Sequence, residues 1–270
     1  MTWSIPLGPL VLPAQFLLLC LSAGLGLWLG ERRARRAGGS VERELRWALL
    51  VGVVVARLAF VAQHREAYLA QPWSMFDIRD GGWSPWPGLA AAWFCGVMVT
   101  RRPSAKRRPV VLGLGVASTL WVVGVAGLLL ASPSVQRLPA FSSLTMQGER
   151  VDLGQLTGQP TVINLWATWC PPCRREMPVL ARAQAERPGV RFIFLNQGEA
   201  PATVARYLQA EGLDLRNVVL DLKAEVGRHY GSGGLPLTLF FDAQGRLQAS
   251  RMGELSRATL QQHLQAIGVR

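Results

Sequence analysis

Apolar positions are distributed very differently in the two halves of the chain. Residues 10–30, 47–63, 87–100 and 110–131 form near-continuous apolar runs. A helix crossing a bilayer needs about 20 such residues. Runs 10–30 and 110–131 meet that length and 47–63 is shorter. Run 87–100 reads either as a short span whose flanking arginines snorkel or as a re-entrant segment. Beyond a tether at 132–137 the apolar runs shrink to strand length. Residues 161–166, 190–195, 218–220, 237–241 and 247–252 read as strands. Helices are expected from Cys173 onward and over 202–211, 224–230 and 256–267. The first would bury Met177, Leu180 and Ala181 on one face and kink at Pro178. Segments 138–141 and 151–153, on either side of Gln147-Gly148, read as an N-terminal β-hairpin. The pattern predicts an α-helical membrane domain over 1–131, with about four transmembrane helices. An α/β domain over 138–270 follows, a mixed sheet with helices on both faces.

Charge sharpens the membrane reading. The net charge is +12, and residues 1–137 hold 15 Lys/Arg against 6 Asp/Glu, whereas residues 138–270 hold 14 against 11. The excess sits in two clusters, Arg32, Arg33, Arg35, Arg36, Arg43 and Arg46, then Arg101, Arg102, Lys106, Arg107 and Arg108. Basic clusters beside apolar runs mark the cytoplasmic side, so no nucleic-acid partner is inferred from the basic pI. Placing both clusters in the cytoplasm requires four crossings. The N-terminus, the 64–84 loop and the second domain then lie outside. The first run has no basic residues before it, so it reads as a retained anchor rather than a cleaved signal peptide.

The chemistry concentrates in Asn164-Leu-Trp-Ala-Thr-Trp-Cys-Pro-Pro-Cys-Arg-Arg-Glu-Met-Pro178. A buried strand delivers Cys170 and Cys173 to a helix start, where two thiols three residues apart can close a disulfide. The positive end of the helix favours thiolate over thiol, and Pro171 and Pro172 suit first-turn positions that need no N–H. A structural zinc site would need four ligands. The other cysteines, Cys20 and Cys95, lie far away in apolar runs and read as small apolar residues rather than an intramembrane relay. Glu176, three residues after Cys173, stands one helical turn on, where its carboxylate can approach the thiols. Arg57 lies inside an apolar run and marks either a paired functional site or a snorkelling side chain, with Asp77 and Asp80 as candidate partners. Trp73, Trp83, Trp86 and Trp93 fit an interfacial belt. His229 and His263 show no catalytic or ligand spacing.

Trp-Ala-Thr-Trp169-Cys-Pro-Pro-Cys173 followed by Gly234-Leu-Pro236 resembles the TlpA/ResA-type membrane-anchored thioredoxin family over residues 138–270. The resemblance implies a thioredoxin-like fold and thiol–disulfide exchange, with Cys170 attacking and Cys173 resolving. It makes Pro236 a cis proline facing the dithiol, and puts Trp169, Leu235 and Pro236 against the partner. It gives Glu176 a role in cysteine ionisation. Asn164 stands where many thioredoxins carry a buried aspartate, so Glu176 or water must take the proton of Cys173. The direction it implies is reductive, toward disulfide-containing proteins such as apocytochrome c. That requires a membrane electron-donor protein, since no G-x-G-x-x-G for a nicotinamide or flavin follows a strand and no cofactor is expected. An oxidase or isomerase, and a copper(I)-binding assembly module, are the alternatives.

Ile5-Pro-Leu-Gly-Pro-Leu-Val-Leu-Pro13, Ala56-Arg-Leu-Ala-Phe60, Tyr68-Leu-Ala-Gln-Pro72 and Ile78-Arg-Asp-Gly-Gly-Trp83 together resemble the opening half of prolipoprotein diacylglyceryl transferase. The His-Gly-Gly motif of that family is replaced by Ser84-Pro-Trp-Pro-Gly-Leu89, and its later helices are missing. Lipid transfer is therefore not expected. The whole reads as an inner-membrane, multi-pass bacterial protein with its thioredoxin-like domain in the periplasm and the lipid bilayer as a partner.

Overall fold

The computed structural model describes residues 4–7, 10–69, 72–100, 105–131, 137–231 and 234–269. Arg101, Arg102 and the tether residues 132–136 lie outside them. The chain divides into two compact units, Ala14–Ala131 and, in the second, Met1–Pro13 together with Ser132–Arg270. Near the N-terminus, β1 (Ser4–Leu7) and β2 (Leu10–Pro13) pair antiparallel, so the first helix begins after residue 13 rather than at 10.

In the unit Ala14–Ala131, α1 (Ala14–Arg36), α2 (Glu42–Gln63), α3 (Arg65–Leu69), α4 (Pro85–Val99) and α5 (Arg107–Leu130) follow one another. Among the described residues, α1, α2 and α5 are long and apolar enough to cross a membrane. Helix α4 has 15 residues and so rises about 22 Å, short of a hydrocarbon core of about 30 Å. Its packing nevertheless gives it a direction. A Cβ on Gly88 would lie 2.7 Å from the Ala56 Cβ and from the Gly52 carbonyl, and one on Gly96 would lie 3.9 Å from the Ala48 Cβ. Positions 56, 52 and 48 thus meet 88, 92 and 96, and α4 runs antiparallel along α2. The same logic pairs α1 with α5, where a Cβ on Gly26 would meet the Gly113 carbonyl at 2.5 Å. Small residues let the backbones approach, which is how apolar helices gain contact when lipid offers no hydrophobic drive. Helix α4 therefore brings the chain back to the end of the bundle where α1 finishes and α2 begins, and α5 leads away from that end. There Lys106 Nζ donates to Glu44 Oε1 at 2.8 Å. Outward faces carry Leu21, Trp28, Trp47, Leu58, Phe94 and Leu130, all exposed.

Arg57 does not snorkel. It is buried, ion-paired with Asp80 at 2.9 Å, and donates to the carbonyls of Gly82, Asp77 and Met75 at 2.8, 2.8 and 3.1 Å. Tyr68 Oη donates to the second Asp80 oxygen at 2.9 Å. Asp77 thus contributes its backbone, not its carboxylate. Trp73 and Trp86 are exposed as an interfacial belt requires, but Trp93 sits mid-helix and bonds Ser118 Oγ of α5 at 3.0 Å.

The second unit is built on a five-stranded sheet. Its strands are β5 (Thr161–Trp166), β6 (Arg191–Gln197), β7 (Val218–Asp221), β8 (Leu237–Phe241) and β9 (Leu247–Met252), ordered β7-β6-β5-β8-β9. The first three run parallel, and β8 and β9 are antiparallel. Every residue of β5 and β8 is buried, as expected of central strands covered on both faces. Strand alternation sorts the core into two layers. Val162 and Trp166 pack with Met177 and Leu180 of α6 (Pro171–Glu186), Val204 of α7 (Pro201–Ala210) and Leu260 and Leu264 of α9 (Arg257–Ala266). Ile163 and Leu165 pack on the other face with Leu153 and with Val226 of α8 (Glu225–His229). This is the thioredoxin-like arrangement expected.

The N-terminal hairpin is present but displaced. Its strands are β3 (Ser142–Leu144) and β4 (Arg150–Asp152), and they form a separate two-stranded sheet. Leu138 and Phe141 instead pack singly against the core, where they read as a strand because they are apolar. The turn is closed by Thr145, whose Oγ1 accepts from the N–H groups of Gln147 and Glu149, with Gly148 at φ +84°. Arg137, expected in the tether, already belongs to this unit and bridges Arg246.

Candidate active site

Strand β5 ends at Trp166, and the turn Ala167–Trp169 carries the chain to Cys170, the N-cap of α6. Pro171 and Pro172 occupy the first helical positions, where no N–H is needed. Cys170 and Cys173 are joined in a disulfide with Cα atoms 5.3 Å apart. The Cys173 N–H points at Cys170 Sγ at 3.3 Å, so the helix start presents a donor to the sulfur that would carry thiolate charge. In the disulfide form both sulfurs are shielded: Cys170 is 3% exposed and Cys173 fully buried. Beside them Trp169 is 68% exposed.

Glu176 is no solvated helix charge. It is fully buried, and its two oxygens accept from Asn164 Nδ2 at 2.7 Å and from the Leu255 N–H at 2.9 Å. Burial pushes its carboxyl up to about 8, helped by the Glu254 charge and opposed by those two hydrogen bonds and by Arg251. The group therefore holds its proton through neutral pH and releases it in the range where thiols ionise. Asn164 projects from β5 into the same layer and also donates to Thr238 Oγ1 at 3.0 Å, while its Oδ1 has no hydrogen-bond partner among the described residues. The helix head is tied at its rim by Arg175–Glu254 and Arg174–Glu211, each at 2.7 Å.

The peptide bond Leu235–Pro236 is cis, as the resemblance implied. Leu165 is paired with Leu237 across β5 and β8, which puts Pro236 level with the end of β5 that feeds the dithiol. The Pro236 carbonyl accepts from Gly253 at 2.9 Å. Cys170, Cys173, Glu176, Trp169 and Pro236 are thus gathered at one end of the sheet, with half-buried Leu235 beside them. His263 is not part of this group. It stacks on Phe240 in the core, where burial pushes it down to about 4. Among the described residues no three His, Cys, Asp or Glu side chains gather to hold a metal.

One residue at this end of the sheet escaped the sequence reading. Glu199, just past β6, accepts from Thr168 N and from Asn196 Nδ2, both at 2.7 Å, and from the Thr168 hydroxyl. It lies 31 residues from Thr168, and nothing local in the sequence marks the pair.

Comparison with known proteins agrees with this geometry. The Redoxin family model matches residues 133–264, and the prolipoprotein diacylglyceryl transferase model matches residues 4–127. Thiol-disulfide oxidoreductase ResA of Geobacillus thermodenitrificans is 30% identical over 131 residues, 48% of this chain and 75% of the relative. ResA of Halalkalibacterium halodurans is 31% identical over 124 residues, covering 45% and 70%. The crystal structure of StoA from Bacillus subtilis superposes with a TM-score of 0.41 at 25% identity, over 46% of this chain and 98% of that one. With its disulfide at the head of α6, the chain belongs to the ResA-type thiol-disulfide oxidoreductases of the Redoxin family, joined to a membrane segment matched by the transferase model.

Proposed function

We propose that this protein is a membrane-anchored protein-disulfide reductase working outside the cytoplasm. Residues 1–131 serve as the anchor, 132–136 as a tether and 137–270 as the catalytic domain. The Cys170–Cys173 disulfide at the head of α6, with Glu176 buried behind it, carries this reading. In the reduced enzyme the Cys170 thiolate attacks one sulfur of a partner disulfide. The partner's other sulfur leaves as thiolate and takes a proton from solvent. Cys173 then loses its proton, to water or to Glu176 where that carboxyl is ionised, and attacks Cys170 Sγ; the second partner sulfur leaves as thiolate and takes a proton from solvent. The partner gains two electrons and two protons, and the enzyme ends as the disulfide. Asn164 cannot accept that proton, because an amide has no basic site at neutral pH. Trp169, Leu235 and Pro236 form the surface on which the partner strand lies.

Disulfide-containing proteins are the substrate class, apocytochrome c among them. A second membrane protein returns the electrons. The bacterial inner membrane, with the catalytic domain in the periplasm, is the setting consistent with the two basic clusters. The deciding experiment is the reduction potential of the full chain in detergent, with Cys20 and Cys95 replaced by serine so that one dithiol reports. Equilibration against glutathione and dithiothreitol should give a value near or below roughly −270 mV. A value near about −120 mV would reverse the direction and make the protein a disulfide donor.

A further inference from the structure

We propose that Glu199 is a positioning residue for the exchange reaction, fixing the turn that presents Trp169 and Cys170 to the partner; this rests on the oxidoreductase function proposed above. The turn Ala167–Trp169 must leave a fully buried strand and place a 68% exposed tryptophan beside the dithiol within three residues. Its own backbone supplies one hydrogen bond, from Cys170 N to the Ala167 carbonyl at 3.2 Å. The rest comes from Glu199, whose Oε2 accepts from Thr168 N and whose Oε1 accepts from the Thr168 hydroxyl. Asn196 Nδ2, buried at the end of β6, donates to the same Oε2 and holds the carboxylate in place. Gly198, at φ +76°, donates to the Asp221 carbonyl at 2.9 Å and so ties the base of Glu199 to β7. Among the described residues no cation is ion-paired with Glu199, so its hydrogen bonds go to the turn and to the strand behind it. The carboxylate transmits the rigidity of β6 and β7 to the loop ahead of the nucleophile. Its chemistry is positional: three hydrogen bonds converge on one side chain and lock one loop geometry.

The test uses the full chain in detergent, with Cys20 and Cys95 as serine, and a synthetic peptide containing one intramolecular disulfide as the oxidant. Glu199→Ala should raise KM for this peptide about tenfold and leave kcat nearly unchanged, because partner placement rather than sulfur chemistry is lost. The pH midpoint of Cys170 alkylation by iodoacetamide should not move. Amide hydrogen exchange over 167–170 should speed up. Thr168→Val, which deletes one of the two bonds to the turn, should fall between. Glu199→Gln should restore KM and hydrogen exchange. Its Oε1 can keep the Thr168 and Asn196 donors, while its NH2 donates to the Thr168 hydroxyl oxygen. The proposal is overturned if Glu199→Gln is as impaired as Glu199→Ala, which would assign the effect to charge. It is equally overturned if Glu199→Ala leaves both KM and hydrogen exchange as in the wild type. Should the wild type fail to reduce the peptide, the oxidoreductase function is what fails. Hydrogen exchange then still decides whether Glu199 holds the turn.

Discussion

At the scale of single residues, two buried titratable groups oppose each other. Glu176 is raised to about 8, and His263 is lowered to about 4, both chiefly by burial. A carboxyl with a raised folded-state value binds its proton more tightly when folded. Its contribution therefore falls as pH rises from its unfolded value to about 8, by at most roughly 1.4 kcal/mol per pH unit. A histidine with a lowered value does the reverse, gaining stability between about pH 4 and its unfolded value near 6.5. The two slopes cancel at acid pH and leave the Glu176 slope alone above it. Chemical denaturation of the disulfide form should show little dependence on these groups between about pH 5 and 6.5 and a decline from about 6.5 to 8. Glu176→Gln should remove the decline; a slope that survives would place its origin elsewhere. Asn164 can accommodate the amide by rotating so that Oδ1, which lacks a partner among the described residues, accepts from it. Cys173→Ser should trap the partner on Cys170 as a mixed disulfide visible on a non-reducing gel, and Cys170→Ser should trap none. Glu176 was legible from sequence because it sits one helical turn from Cys173. Glu199 was not, because its partner Thr168 comes to it only through the parallel pairing of β5 and β6.

Among elements, legibility followed how local the determining forces are. Strands β8 and β9 fall where the apolar pattern put them, since a Gly-centred turn separates two clear runs. Hairpin β3–β4 was displaced because its first strand is Ser142–Leu144, polar at two of three positions and chosen by the Thr145 turn. Apolar character pointed to Leu138 and Phe141, which bury their side chains without a ladder. In the membrane unit, periodicity found the helices but could not show which glycines touch. Gly88 is one such case, with α2 backbone 2.7 Å from where its Cβ would stand. Gly88→Leu should push α4 off α2 and destabilise this unit by at least about 1–3 kcal/mol, the usual cost of overpacking. Thermal unfolding in detergent, followed by exposure of Cys95 to a maleimide, would register the change. Gly127→Leu, where nothing among the described residues lies within 4 Å, should be neutral. Arg57→Leu is a separate test of the adjoining loop, since it strips the guanidinium from buried Asp80 at a cost of about 3–5 kcal/mol. Limited proteolysis of residues 64–84 should then become faster.

For the whole molecule, the question is which side of the membrane receives the catalytic domain, and the answer turns on a helix too short to decide it alone. Helix α4 rises about 22 Å, yet its antiparallel pairing with α2 returns the chain to the end where Lys106 meets Glu44. Marginal length means that insertion free energy by itself does not commit α4 to crossing. The second basic cluster, Arg101, Arg102, Lys106, Arg107 and Arg108, can supply the bias, because cations are retained on the cytoplasmic side. Neutralising all five to glutamine should therefore let a fraction of chains keep 101–108 on the outer side and deliver the C-terminal domain to the cytoplasm. A C-terminal alkaline phosphatase fusion, active only when exported, would lose activity in proportion. Neutralising Arg32, Arg33, Arg35 and Arg36 alone should matter less, because the second cluster still anchors α4 and α5. If the five-residue variant keeps full phosphatase activity, the packing of α4 on α2 rather than charge fixes the topology. Adding Gly88→Leu to that variant should then collapse it. Both arms test what fixes the side on which α5 ends, charge at 101–108 or the packing of α4 on α2.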